Sequence, residues 1–471
     1  MRCLSILIFI PVLLAAQPSR ITSGWKTNKD LSGASYGYCV AEAKTGKVIE
    51  ALNEDRQLIP ASTLKVLSTA TALKLLGADF RFQTRLFYSG HYNAKTGVLT
   101  GDLIILGSGD PTLQSELFAK ESNVTESWAN ILKEKGLKQI TGSVIGDASA
   151  FSREVNDEWI WGDIGNYYGT SACGLSYMDN KFKLVYNSGA KGSTAKLIKQ
   201  EPVYSGRDYA LSSQVIAEGT DDEAIVYGDP FSFNREIKGR IPPNKINYEV
   251  EASLPDPALL CAQMLCKSLL KTGVKIDPSA AKSCYEKNEV TANLKPVYTH
   301  VSPPLSKIIY FTNLKSNNLY CESLIRCLGN GNLKDGLDRV KKFCHDNSLA
   351  AGQLFMADAC GLSRANTVSV GLLTDLLCKL TSDSATYMIM KASFPVAGNS
   401  GSMAGIGKGT FIEGNLAAKT GYIHRVRAYC GYVRSRSGKE LAFSVMLNNY
   451  NCSAHTAKLY LEKLLVAFGE L

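Results

Sequence analysis

The chain is poor in the arrangements that hold metals or carry redox chemistry. Its 471 residues contain five histidines, His91, His300, His345, His424 and His455. They are widely spread, and no H-E-x-x-H sets two of them on one helix face, which argues against a helix-borne zinc hydrolase. Thirteen cysteines form no C-x-x-C pair, so zinc and dithiol chemistry lack a motif. They are also too few for a disulfide scaffold in so long a chain. Cys261, Cys266, Cys321, Cys327 and Cys378 fall in apolar helical patterns, where buried free thiols are expected. Low-complexity tracts, internal repeats and clusters of like charge are missing. The formal charge of +9 is scattered, which suits an anionic surface without calling for nucleic acid. Gly107, Gly109 and Asp110 imitate a phosphate loop, but no G-K-[ST] follows, and a tight turn is the better reading.

Long apolar runs are also scarce. Met1-Arg2-Cys3 precedes an apolar block from Leu4 to Ala16, then polar Gln17, Pro18 and Ser19. This reads as a secretory signal peptide over residues 1–16, with small residues at Ala15 and Ala16. No later stretch reaches transmembrane length. The expectation is an exported protein, periplasmic or beyond, with no stable membrane anchor. The C-terminal helix from Ala457 to Phe468 carries Leu461, Leu464, Leu465 and Phe468 on one face. Its narrow stripe and mixed polar face favour packing against a sheet over lying on a membrane.

What remains is an ordinary globular composition, 45% hydrophobic and 20% charged, with room for two or three domains. Tyr36–Ala43 and Lys47–Ala51 read as strands joined by Lys44-Thr45-Gly46. A helix follows Ser62, with Leu67, Ala70, Leu73 and Leu76 as its apolar stripe and Gly77 as its stop. From Phe82 to about Val297 the texture is short strands and turns, with helices near Ala129–Lys135 and Pro257–Lys271. Helices return at Leu305–Asn313, Leu319–Leu328, Leu333–Asn347 and Thr367–Leu380. Strands at Gly414–Lys419, Arg427–Arg434 and Glu440–Asn448 precede the last helix. The fold class is therefore α+β, one domain formed by residues 20–84 and 298–471 and split by a β-rich insertion over 85–297.

Three short motifs carry chemistry. Ser62-Thr63-Leu64-Lys65 puts a hydroxyl and an amine three residues apart on a helical turn, with roughly 5–6 Å between Cβ atoms. The helix start supplies free N–H groups that suit an oxyanion. Ser62 is a candidate nucleophile and Lys65 its base. To take the Ser62 proton Lys65 must act as a neutral amine. S-x-x-K recurs at Ser23, Ser193 and Ser268, and serine is a common helix cap, so the motif needs company. Ser316-Asn317-Asn318 lies on a loop between helices, and Lys419-Thr420-Gly421 ends a strand beside small residues. The ordered set S-x-x-K, S-x-N and K-T-G is the triplet of serine acyl-transferases that react with penicillin. Ser316 can relay a proton to a leaving amine, Asn318 can hold a substrate amide, and Lys419 with Thr420 can bind a carboxylate. Backbone N–H groups of Ser62 and Tyr422 would form the oxyanion hole. A second K-T-G, Lys271-Thr272-Gly273, sits where lysine and glycine commonly end a helix.

The flanking text resembles the D-alanyl-D-alanine carboxypeptidases/endopeptidases of the penicillin-binding protein 4 type, peptidase family S13. The matching stretches are GDLIILGSGDPTL from Gly101, ITGSVIGDASAF from Ile140, the Trp159, Trp161 and Asp163 cluster, SNNLYCESLIR from Ser316, DACGLSRAN from Asp358, FPVAGNSGSM from Phe394 and AAKTGYI from Ala417. The long interval between Lys65 and Ser316 is itself a mark of that family. The resemblance implies a penicillin-binding transpeptidase/β-lactamase-like domain, an antiparallel sheet flanked by helices. It implies a metal-free and cofactor-free enzyme acting on peptidoglycan stem peptides, inhibited by β-lactams. An acidic residue of the insertion and an arginine near the third motif would bind a diaminopimelate side chain, and Asp147 and Arg364 are the positions most like them. Cys360 stands where serine is usual, and Tyr422 where a small or hydroxylated residue is common. Glu322 is expected to be a structural partner of Arg326. The rival readings are a serine β-lactamase, which shares the triplet, and a non-catalytic peptidoglycan-binding protein.

Overall fold

The structure, a computed structural model, describes residues 17–118, 122–206, 209–287 and 294–471. The expected signal peptide lies outside them. Five antiparallel strands form the central sheet, in the spatial order Leu416–Ile423, Val426–Arg434, Glu440–Asn448, Ser35–Glu42, Val48–Leu52. Opposite ends of the chain thus meet in one sheet, with Tyr38 opposite Val445 and Val40 opposite Phe443.

Side chains alternate across a strand, and here the two faces differ in bulk. Tyr36, Tyr38, Val40, Tyr429, Val433, Leu441, Phe443 and Val445 join a core with the C-terminal helix, Ala454–Glu470. Phe468 of that helix packs on Tyr38 and Phe443, with ring centroids 5.8 and 5.4 Å apart. Burying side chains such as Leu461, Leu464 and Phe468 contributes roughly 1.5–3 kcal/mol each, which accounts for the helix lying on the sheet. Among the described residues no helix is long and apolar enough to cross a membrane. The opposite face carries Cys39, Ala41, Ala428, Cys430 and Ala442 beside the larger Tyr432 and Met446. These small residues let the helix Val370–Leu380 lie on the sheet, with Thr374 donating to the Cys39 carbonyl at 3.2 Å, and behind it packs the helix Leu64–Leu76.

That helix departs from the expected single stripe. Every residue from Leu64 to Leu73 is buried, Lys65, Ser68, Thr69 and Thr71 among them. The hydroxyls find local acceptors: Thr69 donates to the Lys65 carbonyl at 2.6 Å and Thr71 to the Leu67 carbonyl at 2.9 Å. Gly77, at φ 87°, stops the helix. Around it pack Leu305–Leu314, Asn318–Leu328, Leu333–Asp346, Val370–Leu380 and Ser384–Ser393. The last of these was not read from sequence.

Between residues 83 and 301 the chain builds a second, mixed five-stranded sheet in the order Ala281–Cys284, Val144–Asp147, Leu103–Leu106, Gln83–Tyr88, Lys295–Val301. Gln83–Tyr88 and Lys295–Val301 pair antiparallel, so the chain leaves and returns along adjacent strands. Helices Val124–Glu134 and Pro257–Lys271 cover this sheet. Three smaller sheets complete the region. No disulfide joins the twelve described cysteines, and ten of them are buried.

Candidate active site

The nucleophile turn is made by a steric conflict at the start of the helix. Ala61–Thr63 is a 3-10 turn that runs directly into Leu64–Leu76. Ala61 sits at φ 45° and, across the cleft, Ser316 sits at φ 56°, a region that non-glycine residues seldom occupy and that marks functional sites. Two glycines press against this turn. A Cβ on Gly361 would stand 1.9 Å from the Ala61 carbonyl oxygen, and one on Gly421 would stand 2.6 Å from the Pro60 oxygen and 3.2 Å from the Ser62 nitrogen. Only glycine lets the K-T-G strand and the 358–361 loop approach so closely.

The three motifs converge here. Lys65, fully buried, donates from Nζ to Ser62 Oγ at 3.0 Å, to Asn318 Oδ1 at 2.6 Å and to the Cys360 carbonyl at 2.7 Å. Asn318 Nδ2 donates to the Tyr168 carbonyl at 2.7 Å, so both ends of that amide are held. Lys419, equally buried, donates to Ser316 Oγ at 2.9 Å and to the Thr420 carbonyl at 2.7 Å. Burial, and after it the positive charge of Lys65, pushes the Lys419 amine well below its usual range. Two ammonium groups in one desolvated site disfavour each other. Thr420 Oγ1 shares a 2.7 Å hydrogen bond with Ser402 Oγ. Tyr422 is half exposed at the rim, with the Arg427 guanidinium 4.7 Å above its ring.

A cleft of about 720 Å³ opens over Ser62, lined by Ser316, Asn318, Gly361 and Tyr422 on the central-domain side and by Glu116, Asp163, Tyr168 and Glu251 on the other. Arg364 lies in it and faces Asp163, with Nη1 3.4 Å from Oδ2. Burial raises the Asp163 carboxyl above its usual range, partly offset by Arg364.

Two sequence expectations are corrected. Asp147 does not line the cleft: it is buried in the mixed sheet, and Oδ1 accepts from the Ser149 N–H at 2.9 Å, a turn-forming role. The acid beside Arg364 is Asp163. Glu322 is not the ion-pair partner of Arg326, which pairs instead with Glu154. Glu322 Oε1 accepts from the N–H groups of Ala359 and Cys360, each at 2.9 Å. The second K-T-G is a helix end: Thr272 donates to the Leu269 carbonyl, Gly273 is at φ 88°, and Lys271 reaches Glu126 on the surface. Sequence reasoning missed Tyr168, Ser402 and the Cys360 carbonyl. Tyr168 and Cys360 act through their backbone carbonyls, which no side-chain pattern reports.

A serine opening on the cleft beside a fully buried lysine, joined by a second serine–lysine pair and an asparagine beside a five-stranded antiparallel sheet, defines a serine acyl-transferase of the penicillin-binding kind. The profile of the D-Ala-D-Ala carboxypeptidase 3 (S13) family matches residues 21–466, and the chain belongs to that family, the serine-type D-Ala-D-Ala carboxypeptidases/endopeptidases of peptidoglycan. A D-alanyl-D-alanine carboxypeptidase of Actinomadura sp. is 28% identical over 452 residues, covering 91% of this chain and 80% of that one. The D-alanyl-D-alanine carboxypeptidase DacB of Haemophilus influenzae is 24% identical, covering 90% and 88%. The crystal structure of penicillin binding protein 4 from Haemophilus influenzae superposes with a TM-score of 0.79 at 22% identity, over 96% of this chain and 99% of that chain, and shares the α+β fold.

Proposed function

We propose that Ser62 and Lys65 carry out acyl transfer on stem peptides ending in D-Ala-D-Ala. The observation that carries this is the 3.0 Å contact between Lys65 Nζ and Ser62 Oγ, inside a ring closed by Asn318 and Cys360. Ser62 Oγ attacks the carbonyl carbon of the penultimate D-Ala, and its proton passes to Lys65. The backbone N–H groups of Ser62 and Tyr422 hold the oxyanion. Collapse breaks the C–N bond, and Ser316, held by Lys419, hands its proton to the departing D-Ala amine and takes in exchange the one that Lys65 removed from Ser62. Water then hydrolyses the ester and Ser62 regains its proton.

Asn318 holds the substrate amide, and Thr420, steadied by Ser402, meets the terminal carboxylate together with Lys419. Gly421 is the spacer that keeps this strand against the nucleophile. Arg364 and Asp163 offer one charge of each sign, which suits a zwitterionic side chain such as diaminopimelate at the third position of the stem peptide. The cleft shares Glu116 and Lys181 with a second hollow of about 240 Å³ lined also by Gln114, Lys183 and Glu201. That room favours cross-linked peptides as further substrates.

β-Lactams, which offer Ser62 a strained amide, are the proposed inhibitors; the related Haemophilus influenzae protein has been solved with a β-lactam. Export and the split of the chain at 20–84, 85–297 and 298–471 belong to the same proposal. The test is to label the protein with a fluorescent penicillin, map the modified peptide by mass spectrometry and repeat with Ser62→Ala. Label on the Ser62 peptide, lost in the variant and slowly released in the wild type, is expected. Rapid release would indicate a β-lactamase, and label elsewhere would remove Ser62 from its role.

A further inference from the structure

The geometry points to Glu322 as a positioning residue for Lys65, acting through the loop 358–361 whose Cys360 carbonyl holds the lysine amine. This rests on the reading of Ser62 and Lys65 as the acylating pair.

Three successive N–H groups of that loop are tied to two buried carboxylates. Those of Ala359 and Cys360 donate to Glu322 Oε1 at 2.9 Å each, and that of Gly361 donates to Asp358 Oδ1 at 2.7 Å. The carbonyls point the other way. The Ala359 carbonyl accepts from Ser68 Oγ at 2.7 Å and from Cys321 Sγ at 3.2 Å, and the Cys360 carbonyl accepts from Lys65 Nζ at 2.7 Å. Anions on the N–H side and a lysine on the carbonyl side polarise the same peptides, so each contact strengthens the other. The loop has no freedom to adjust on its inner side, because Gly361 abuts Ala61. Glu322 therefore fixes the third contact of Lys65, the one that Ser62 and Asn318 do not supply.

Glu322, Asp358 and Cys360 place ligand atoms within 4.8 Å of one another, a spacing that could suggest a metal. The bonds already made favour loop holding. Besides the Gly361 N–H, Asp358 accepts from Asn366 Nδ2, Trp159 Nε1 and the Ser363 N–H, at 2.8, 2.8 and 2.6 Å. Both its oxygens are saturated, and Glu322 Oε1 is shared by two donors.

The groups facing Glu322 are Asp358 and Cys360 on the loop, Arg326 and Cys321 on its own helix, and Lys65 beyond the loop. Burial first, then the charge of Asp358, pushes the Glu322 carboxyl up to about 7, with Arg326 opposing. The loop grip accordingly changes strength within the working pH range.

The test compares Glu322→Gln and Glu322→Leu with wild type and Ser62→Ala, following acylation by a fluorescent penicillin from pH 5.5 to 8.5 and separating non-covalent binding from the acylation step. Glutamine keeps an acceptor oxygen for the two N–H groups and leucine does not. Expected are acylation slowed at least about a hundredfold in Glu322→Leu with binding changed less than threefold, and, in Glu322→Gln, a rate within about tenfold of wild type without the inflection near pH 7. A folded Glu322→Leu that acylates within threefold of wild type overturns the proposal. So does a Glu322→Gln as slow as the leucine variant. If Glu322→Leu does not fold, Glu322→Gln decides: a retained rate without the inflection supports the proposal, and an unchanged inflection overturns it. Label surviving Ser62→Ala would overturn the nucleophile assignment and this proposal together, whereas label lost there with Glu322→Leu unaffected overturns this proposal alone.

Discussion

Ser268-Leu269-Leu270-Lys271-Thr272-Gly273 and the active-site segments contain the same short words, S-x-x-K and K-T-G, in very different surroundings. At residues 268–273 both words share one helix end. Ser268 Oγ donates to Thr125, Lys271 is exposed beside Glu126, and Gly273 turns the chain at φ 88°. In the active site the words come from a helix and a strand far apart in sequence, and both lysines are fully buried, Lys65 against Ser62 and against Asn318 of the second motif, Lys419 against Ser316 of the second motif. A motif becomes reactive when its charged group is removed from water and its neighbours limit what it can bind. The words alone supply only the functional groups.

The comparison can be broken most directly at the serines. Ser62→Ala should abolish covalent labelling by a fluorescent penicillin while Ser268→Ala leaves it unchanged, as read by intact mass. Next come the lysines: Lys419→Ala should slow acylation by about 10²–10⁴, measured by stopped-flow labelling. An exposed-lysine response at position 419 would erase the distinction. Substrate recognition is a smaller effect. Arg364→Ala or Asp163→Asn should raise KM for a diaminopimelate-containing pentapeptide about 10–100-fold and leave the penicillin acylation rate within threefold, in a D-Ala release assay.

Glu322 adds a pH signature. Its folded-state pKa lies near 7, above the ordinary glutamate value, so the folded state binds the proton more tightly than the unfolded one. Its contribution to stability is full below the unfolded value and is lost as pH rises through about 7. Thermal unfolding should show Tm falling from pH 5 to pH 8, and Glu322→Gln should flatten that fall by roughly 2–4 °C. The smallest effect is expected at Lys271→Ala, whose exposed ion pair is worth about 0–1 kcal/mol. Denaturant unfolding should shift little, and activity should not change.

The parts of the fold that were legible share one property: their signals are local. The Ser62 helix with its Gly77 stop, the helix Pro257–Lys271 and the strand Glu440–Asn448 follow from periodicity and turn residues within a short window. The order of the three motifs also survives in the text. What could not be read depends on partners distant in sequence. Asp147 and Asp163 are both acids of the β-rich middle region, and only tertiary packing, with Asp147 ending a strand of the mixed sheet and Asp163 on the short helix Trp161–Ile164, sends one into the interior and the other to Arg364. Glu322 sits four residues before Arg326, the spacing of an ordinary helix ion pair. Glu154, arriving from the middle region, takes the arginine instead and leaves Glu322 to the loop. The helix Ser384–Ser393 buries only Thr386, Met390 and Ser393, which leaves little periodic signal.

The unequal bulk of the two sheet faces bears on how this scaffold could be altered. On the side of the C-terminal helix, substitutions among Tyr38, Phe443, Leu461 and Phe468 change thermal tolerance while leaving the reactive groups where they are. On the other side, an added methyl at Ala428 or Ala442 would cost about 1–3 kcal/mol in overpacking, and at Ala428, which pairs with Gly421, it would also shift the nucleophile turn. Directed evolution for durability therefore has a permissive half and a forbidden half, and a mutational scan should find active, hardened variants almost entirely on the aromatic side.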